Sequence, residues 1–443
     1  MSLAFTLHQR WSRRKVPAPR RGPSAHMAAP VGVTERNLCF TEWLIFGILA
    51  LALLFAVSTP VFGVKLFITG ISHAPLALLG PVLVLHLVGK SVNDTAPFAV
   101  PALGVTWPLV ALGLFALVGS LLAKYEYAVI DTYFSFAVYT LMLPLYLAAV
   151  PGQLVRARHW ARAVVLLLGF FALASLVGEA VRYQGSEALH EIEYLVASGF
   201  FLVYLAARHG GIKVLALVLM IAAGLLNRKL TGYIITVLAL VHIAASVGWR
   251  NLLPRSRPLY ATVTAVLVTL LAVVLALLYF EFRELLPSGN VDVRMRQYEA
   301  AWTSFLNSPI YGYAFLQGSG EDFRESFRLL NIPTHSDVLD ILKHGGLIGL
   351  VLFLWGYGKL FMLIHRAVAA SRNDHLLHAY FVGLRFFQVT AFITFLINPL
   401  LLKGPFLIVI WGNLGIAAGI AMCVLRDAAS SSTPDHAVPG PRR

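Results

Sequence analysis

Long apolar runs alternate with short polar connections along nearly all of this 443-residue chain. Apolar windows of roughly 18 or more residues recur, and each could cross a bilayer as a helix. The period-2 alternation that a membrane barrel requires is absent. The pattern therefore predicts an all-α polytopic membrane protein. We expect about twelve transmembrane helices, at residues 42–63, 68–89, 101–123, 128–150, 161–179, 192–208, 211–227, 230–248, 259–280, 346–365, 378–399 and 404–425.

One long polar interruption lies between the ninth and tenth predicted spans. This interruption divides the chain into segments. In order, the predicted segments are a basic, Pro-rich tail (1–41), spans one to nine (42–280), a large loop (281–345), spans ten to twelve (346–425) and a Ser/Pro-rich tail (426–443). The two tails lack an apolar period and are predicted to be disordered.

The charges in the short connections predict how the chain is oriented. Residues 151–162, 208–213 and 250–257 are rich in Arg and Lys, whereas residues 180–193 are acidic. Because basic connections stay on the cytoplasmic side, we expect both termini to be cytoplasmic and the 281–345 loop to face outward.

Composition narrows the class of protein further. The chain is 58% hydrophobic and 13% charged, well below the charge content of about 25% in soluble domains. Its net charge of +14 comes largely from basic residues in the N-terminal tail and in connections that are predicted to face the cytoplasm, where they are attracted to anionic lipids. We therefore predict no nucleic-acid partner. Cys39 and Cys423 lack metal-ligand spacing, which predicts free thiols. We also expect no metal and no cofactor.

The first half of the outer loop predicts an amphipathic helix. In VRMRQYEAAWTSFL the residues Tyr298, Ala301, Trp302 and Phe305 recur at helical spacing and predict one apolar face. Arg294 lies one turn before Tyr298, so its side chain can share that face and be drawn inward. The sequence from Asn307 to Pro309 is expected to end this helix, with Gly312 turning the chain.

The second half of the loop predicts a short helix capped by Thr334 or Ser336, followed by a hinge at Gly345-Gly346. His335 would then stand at a helix N-terminus, where the dipole disfavours the imidazolium form. A neutral histidine suits a general base that accepts a proton from a hydroxyl. The competing interpretation is that His335 only caps or packs.

The chain resembles the O-antigen ligase and polymerase superfamily of bacterial envelope glycosyltransferases in three short motifs. They are Arg294 followed by a helix and Pro309-x-x-Gly312, His335-Ser-Asp-x-Leu339 continuing to GGLIGL, and Asn227-Arg228-Lys229 before a span. The predicted layout, with a large outer loop between spans nine and ten, is similar as well. The sequence departs from the family pattern at Asn227, Tyr298 and Ser336, where Ser, Trp and Asn are common.

The resemblance implies a GT-C-like, metal-independent transferase that uses an undecaprenyl-diphosphate-linked glycan as donor. His335 would be the catalytic base, and Arg228 and Arg294 would clamp the diphosphate, with Lys229 and Arg296 as lesser candidates. The acceptor would be lipid A-core (ligase), a lipid-linked glycan (polymerase) or a protein (O-oligosaccharyltransferase). Membrane lipids and other polysaccharide assembly proteins are further expected partners. The expected location is the bacterial inner membrane, with the active site on the periplasmic face.

The sequence leaves the roles of several ionisable residues open and allows a second function. Asp337, Asp340 and Glu179 are candidates to support the site indirectly, whereas Asp131, His242 and Arg385 are intramembrane ionisable residues without an assigned role. Arg228 and Lys229 could instead only snorkel to the interface. A transporter or flippase for a lipid-linked glycan or small solute is the main competing function, but it predicts repeat symmetry and midplane charges that we do not find.

Overall fold

The computed structural model describes residues 39–62, 74–93, 99–123, 133–181, 193–227, 230–251, 289–316, 334, 336–397, 400 and 404–432. Within these ranges the chain is helical and contains no strand, which confirms the predicted all-α class. The helices are α1 (Phe40–Phe62), α2 (Ala74–Asn93), α3 (Ala99–Leu122), α4 (Ser135–Leu141), α5 (Leu143–Ala149), α6 (Leu154–Val181), α7 (Glu193–Ala206), α8 (Gly210–Asn227), α9 (Leu230–Asn251), α10 (Gly289–Asn307), α11 (Asp337–Ala370), α12 (His375–Ile397) and α13 (Gly404–Ser432).

Several of these helices have the length and composition of membrane spans. Among the described residues, five are long and apolar enough to cross a bilayer: Leu103–Leu122, Leu154–Val177, Asp337–Ala370, His375–Ile397 and Phe406–Ser430. Shorter apolar helices accompany them. The protein is therefore a multi-pass membrane protein. The count of twelve spans remains a prediction, and the ninth predicted span (259–280) lies outside the described residues.

Helix α13 forms the centre of the bundle. In its most apolar window 94% of the residues are buried, compared with 33% for α11. A helix that is hydrophobic on all sides belongs in a core. Gly415 and Gly419 let α13 approach α5 closely, because a Cβ at either position would lie 2.6 Å from an atom of that helix. Small residues commonly allow such close contacts between membrane helices.

Two helix boundaries correspond to features of the local sequence. The predicted span at 128–150 contains two short helices, α4 and α5, and the second has a proline in its first turn. Proline lacks the N–H that would continue the helical hydrogen bonds. The predicted separation of the spans at 192–208 and 211–227 is confirmed, since α7 ends at Ala206 and α8 begins at Gly210.

A buried carboxylate joins α1 to α6. The side chain of Glu42 accepts hydrogen bonds from Arg156 at 2.7 Å, from the Trp160 ring N–H at 2.9 Å and from the backbone N–H of Cys39 at 2.7 Å. Three donors compensate for taking this carboxylate out of water. Cys39 and Cys423 form no disulfide bond with any described residue, in agreement with the prediction of thiols.

Candidate functional site

The start of α11 is fixed by hydrogen bonds on both sides of position 335. Ser336 is the N-cap, and its hydroxyl accepts from the backbone N–H of Leu339 at 3.3 Å. The same hydroxyl donates to the carbonyl of Phe395 in α12 at 3.5 Å. Thr334 donates its hydroxyl to the carboxylate of Asp340. The predicted cap is therefore confirmed at Ser336, while His335 itself lies outside the described residues.

Both aspartates at the start of α11 are buried and act as anchors. Asp337 accepts a hydrogen bond from the backbone N–H of Leu400, between α12 and α13, at 2.7 Å. Asp340 accepts from the Thr334 hydroxyl and interacts electrostatically with buried Lys343. These contacts compensate one carboxylate oxygen of Asp340, whereas Oδ2 is buried without a hydrogen-bond partner among the described residues, so they offset only part of the cost of burying this side chain. The two carboxylates thus tie the turn before α11 to the rest of the bundle.

A turn after α10 is joined to a kink in α11 by backbone hydrogen bonds. The kink lies at Gly346, whose φ of 60° and ψ of −158° are non-helical. Four bonds connect the segments: Tyr313 N–H to Lys343 O, Phe315 N–H to His344 O, Leu347 N–H to Pro309 O and Ile348 N–H to Ile310 O, at 2.9–3.2 Å. The kink would otherwise leave carbonyls and N–H groups without intrahelical partners. The predicted turn at Gly312 and the predicted hinge are one structural unit, which we call the turn–kink unit (309–316 with 343–348).

Only glycine fits at the two centres of this unit. Gly312 and Gly346 both have positive φ, at 58° and 60°. A Cβ at Gly312 would lie 2.4 Å from the Lys343 carbonyl oxygen, and a Cβ at Gly346 would lie 2.5 Å from the Gly312 nitrogen. The colliding atoms are backbone, so they cannot move aside as a flexible side chain could.

The end of the turn inserts an aromatic side chain into the bundle. Phe315 is buried and contacts Phe115 of α3 and Tyr133 edge-on, each with ring centroids 5.3 Å apart. His344 lies in the same cluster, 4.7 Å from the Tyr133 ring. The turn also lies on Gly119, where a Cβ would collide with the Ala314 carbonyl. The buried Phe315 side chain and the close contact at Gly119 fix the turn–kink unit against α3.

His344 is not among the site residues that the sequence motifs predicted. It is fully buried, and neither ring nitrogen has a hydrogen-bond partner among the described residues. The available signal was its position directly before Gly345-Gly346, where the chain leaves the helical path. Burial in an aromatic cluster favours a packing role for this side chain.

Helix α10 packs against α11, but its buried face differs from the predicted one. Ala301 and Phe305 are buried as expected, together with Gln297 and Ser304. Trp302 is 50% exposed, so its predicted place on the buried face is wrong. The reason is the rotation of the helix. Positions 297, 301, 304 and 305 form the face that meets α11, and position 302 lies about 100° around the helix axis from position 301, beyond the edge of that face.

The arginines of α10 are exposed. Arg294 and Arg296 both reach solvent, so the expectation that Arg294 is drawn inward is wrong. Arg294 interacts with half-buried Tyr298, one turn along the helix. Burial raises the pKa of the Tyr298 phenol, and the Arg294 guanidinium partly offsets that rise. An exposed guanidinium next to a helix surface remains available to an anionic ligand.

Several predicted residues fall outside the described part of the chain. They are Arg228, Lys229, His335 and Asp131; Glu179 lies in α6, and its side chain is likewise outside. The structure does describe His242 and Arg385. Arg385 donates a hydrogen bond to the His365 ring at 3.2 Å, and the His242 ring packs edge-on against Phe201 with centroids 5.4 Å apart.

Comparison with known families bears directly on this region. No curated protein matches the chain. Residues 194–354, however, match a family model described as O-Antigen ligase. The matched segment runs from α7 through the turn–kink unit into α11, and it contains all three sequence motifs described above. This match supports the relationship to the O-antigen ligase and polymerase superfamily that the sequence motifs predicted.

Proposed function

We propose that the protein is a membrane glycosyltransferase of the O-antigen ligase and polymerase type. It would move an oligo- or polysaccharide from an undecaprenyl-diphosphate carrier onto a lipid- or glycan-linked acceptor. The observation that carries the proposal is the family match over residues 194–354, which includes the Arg228, Arg294 and His335 motifs. The turn–kink unit adds support, because it joins the Arg294-bearing helix to the helix that starts directly after His335.

The proposed chemistry assigns each residue a task. His335 accepts the proton from a hydroxyl of the acceptor while the oxygen of that hydroxyl bonds to the anomeric carbon of the donor glycan. The bond between that carbon and the carrier diphosphate breaks, and the diphosphate leaves with the electron pair. Arg228 and Arg294 stabilise the negative charge that develops on it, with Lys229 and Arg296 as additional cations. Guanidinium groups suit this task because their planar fork matches phosphate oxygens.

The anchors around position 335 suit a general base that must be held in place. Thr334 is tied to Asp340, Ser336 to α12, and Asp337 to the segment before α13. A displacement of about 1 Å at a reacting group can cost roughly a hundredfold in rate. In the proposed enzyme Asp337 and Asp340 are therefore positioning residues for the turn that carries His335.

Substitution at two positions tests the function. We expect His335→Ala and Arg294→Ala to abolish glycan transfer in cells while leaving protein level and membrane insertion unchanged. Arg294→Lys keeps the charge but loses the fork, so it should retain part of the activity. As a control for histidine removal, His375→Ala changes an exposed residue at the start of α12 and should transfer normally. Normal surface polysaccharide in His335→Ala or Arg294→Ala would overturn the assigned roles.

Analysis of the polysaccharide in a deletion strain separates the reactions. Loss of capped lipid A-core, with polymer accumulating on the carrier, indicates a ligase. Accumulation of single repeat units indicates a polymerase, and loss of glycosylated protein indicates a protein O-oligosaccharyltransferase. A transporter would move the lipid-linked glycan without cleaving it. Covalent product formed by purified protein would therefore exclude that alternative.

A further inference from the structure

An apolar groove with a cavity volume of 560 Å³ opens between α6, α7 and α8. It extends from Arg162 to Leu173 on α6 and is bordered by the C-terminal half of α7 and the first turns of α8. Gly169 lets α7 approach α6, because a Cβ there would lie 2.6 Å from the Val203 side chain. Beyond this contact α7 ends at Ala206, and the surface of α6 is left partly uncovered.

The dimensions of the groove match one leaflet of a bilayer. Leu173 follows Arg162 by eleven positions of α6, which corresponds to about 16 Å along a helix. Half of the hydrocarbon core of a bilayer is about 15 Å thick. The side chains along this stretch include Leu166 and Phe170, which are 72% and 63% exposed. Such a surface suits a hydrocarbon chain lying parallel to the helix.

One of the residues that line the groove, Arg162, is a cation and lies at one end of the apolar surface. Arg162 lines the groove and is exposed, and its guanidinium makes no hydrogen bond or ion pair with any described residue. By contrast Arg158, one turn earlier, is paired with Asp374. Exposed Arg208 and half-buried Lys213 border the same end in sequence. These basic residues belong to the connections predicted to face the cytoplasm, where anionic lipid headgroups attract Lys and Arg.

The groove is separate from the predicted diphosphate site. It contacts α8 at Ile212, near the start of that helix, whereas Arg228 follows the opposite end at Asn227. Asn227 follows Ile212 by fifteen positions, which corresponds to about 22 Å of helix. A polyprenyl donor clamped beyond the end of α8 would place its phosphates at the other side of the bundle.

We propose that this groove binds an anionic glycerophospholipid of the cytoplasmic leaflet. One acyl chain lies in the groove between α6, α7 and α8, and the phosphate of the headgroup binds Arg162. The length of the groove selects a lipid chain. The Arg162 guanidinium at its end, which has no partner among the described residues, selects a negative headgroup. The site does not depend on the proposed transferase activity.

Lipid titration of the full-length protein tests this proposal. The delipidated protein is titrated with phosphatidylglycerol and with phosphatidylcholine, and bound lipid is counted by native mass spectrometry. We expect tighter binding of phosphatidylglycerol, and Arg162→Gln should weaken that binding by about tenfold or more. Arg372→Gln removes an equal charge from an exposed turn outside the groove and should bind phosphatidylglycerol like the unmodified protein.

Several results would overturn the proposal. They are equal affinity for the two lipids in the unmodified protein, unchanged binding in Arg162→Gln, or an equal loss in Arg372→Gln. Recovery of a polyprenyl lipid or a second copy of the chain as the occupant of the groove would also refute it. The comparison of lipids on the unmodified protein needs no variant, so it decides the headgroup preference even if Arg162→Gln is unstable.

Discussion

Replacing Gly346 with alanine should damage the turn–kink unit more than any other single-methyl change in α11. Gly346 has a φ of 60° and a ψ of −158°, a backbone conformation that residues with a Cβ rarely adopt. The added methyl would lie 2.5 Å from the Gly312 nitrogen and from the carbonyl of Ile310. To restore an ordinary contact of 3.4 Å the two segments must separate by about 1 Å.

The free-energy cost has two parts. Holding alanine in this conformation costs about 1–3 kcal/mol. Separation would also break the hydrogen bonds from Leu347 to Pro309 and from Ile348 to Ile310, each contributing about 0.5–1.5 kcal/mol. We expect a total destabilisation of about 2–6 kcal/mol. Because α11 begins directly after His335, a shift of about 1 Å should also lower the transfer rate roughly a hundredfold.

The assay compares two alanine variants of the same helix. Gly358 is the matched control, since a Cβ there meets nothing within 4 Å and its backbone is helical. Both variants are purified in nanodiscs, and the initial rate of glycan transfer and the midpoint of thermal unfolding are measured. Gly358→Ala should match the unmodified protein or be slightly more stable. If Gly346→Ala is indistinguishable from Gly358→Ala in rate and midpoint, the turn–kink unit does not hold the site.

Three further predictions concern buried side chains that make hydrogen bonds. Asp340→Ala removes the acceptor of the Thr334 hydroxyl and should slow transfer roughly tenfold to a hundredfold, whereas Asp340→Asn keeps an accepting oxygen and should slow it less; steady-state rates check this order. Ser336→Ala should cost about 1 kcal/mol through loss of the N-cap, whereas Ser336→Asn retains a capping side chain; thermal unfolding checks the difference. Glu42→Ala leaves the buried Trp160 ring N–H without its acceptor and should destabilise the bundle by about 1–3 kcal/mol. The folded fraction should keep its transfer rate, since this contact lies between α1 and α6.

Each of these predictions has a clear contrary result. Equal rates for the alanine and asparagine variants at position 340 would mean that the hydrogen bond to Thr334 does not position the turn. Equal midpoints for the two variants at position 336 would show that the N-cap does not stabilise α11. A Glu42→Ala protein that is as stable as the unmodified one would show that the buried carboxylate contributes no net stability.

Local signals in the sequence predicted much of the site region. Thr334 or Ser336 before a run of helix-forming residues predicted the start of α11, and the structure selects Ser336 as the cap. Asn307 and Pro309 predicted the end of α10. The glycine pair at 345–346 marked a hinge. These features depend on the backbone preferences of a few adjacent residues, so they can be recognised without knowing what packs nearby.

What the tertiary structure decided is how those elements meet. Helical periodicity identified an apolar face on α10, but the position of α11 determined that Gln297 is buried and that Trp302 and Arg294 are exposed. Gly312 was predicted as a turn and Gly346 as a hinge, yet only the folded chain brings their backbones within collision distance of a single methyl group. Contacts between residues far apart in sequence depend on the packing of the whole bundle, which the local pattern of a chain does not contain.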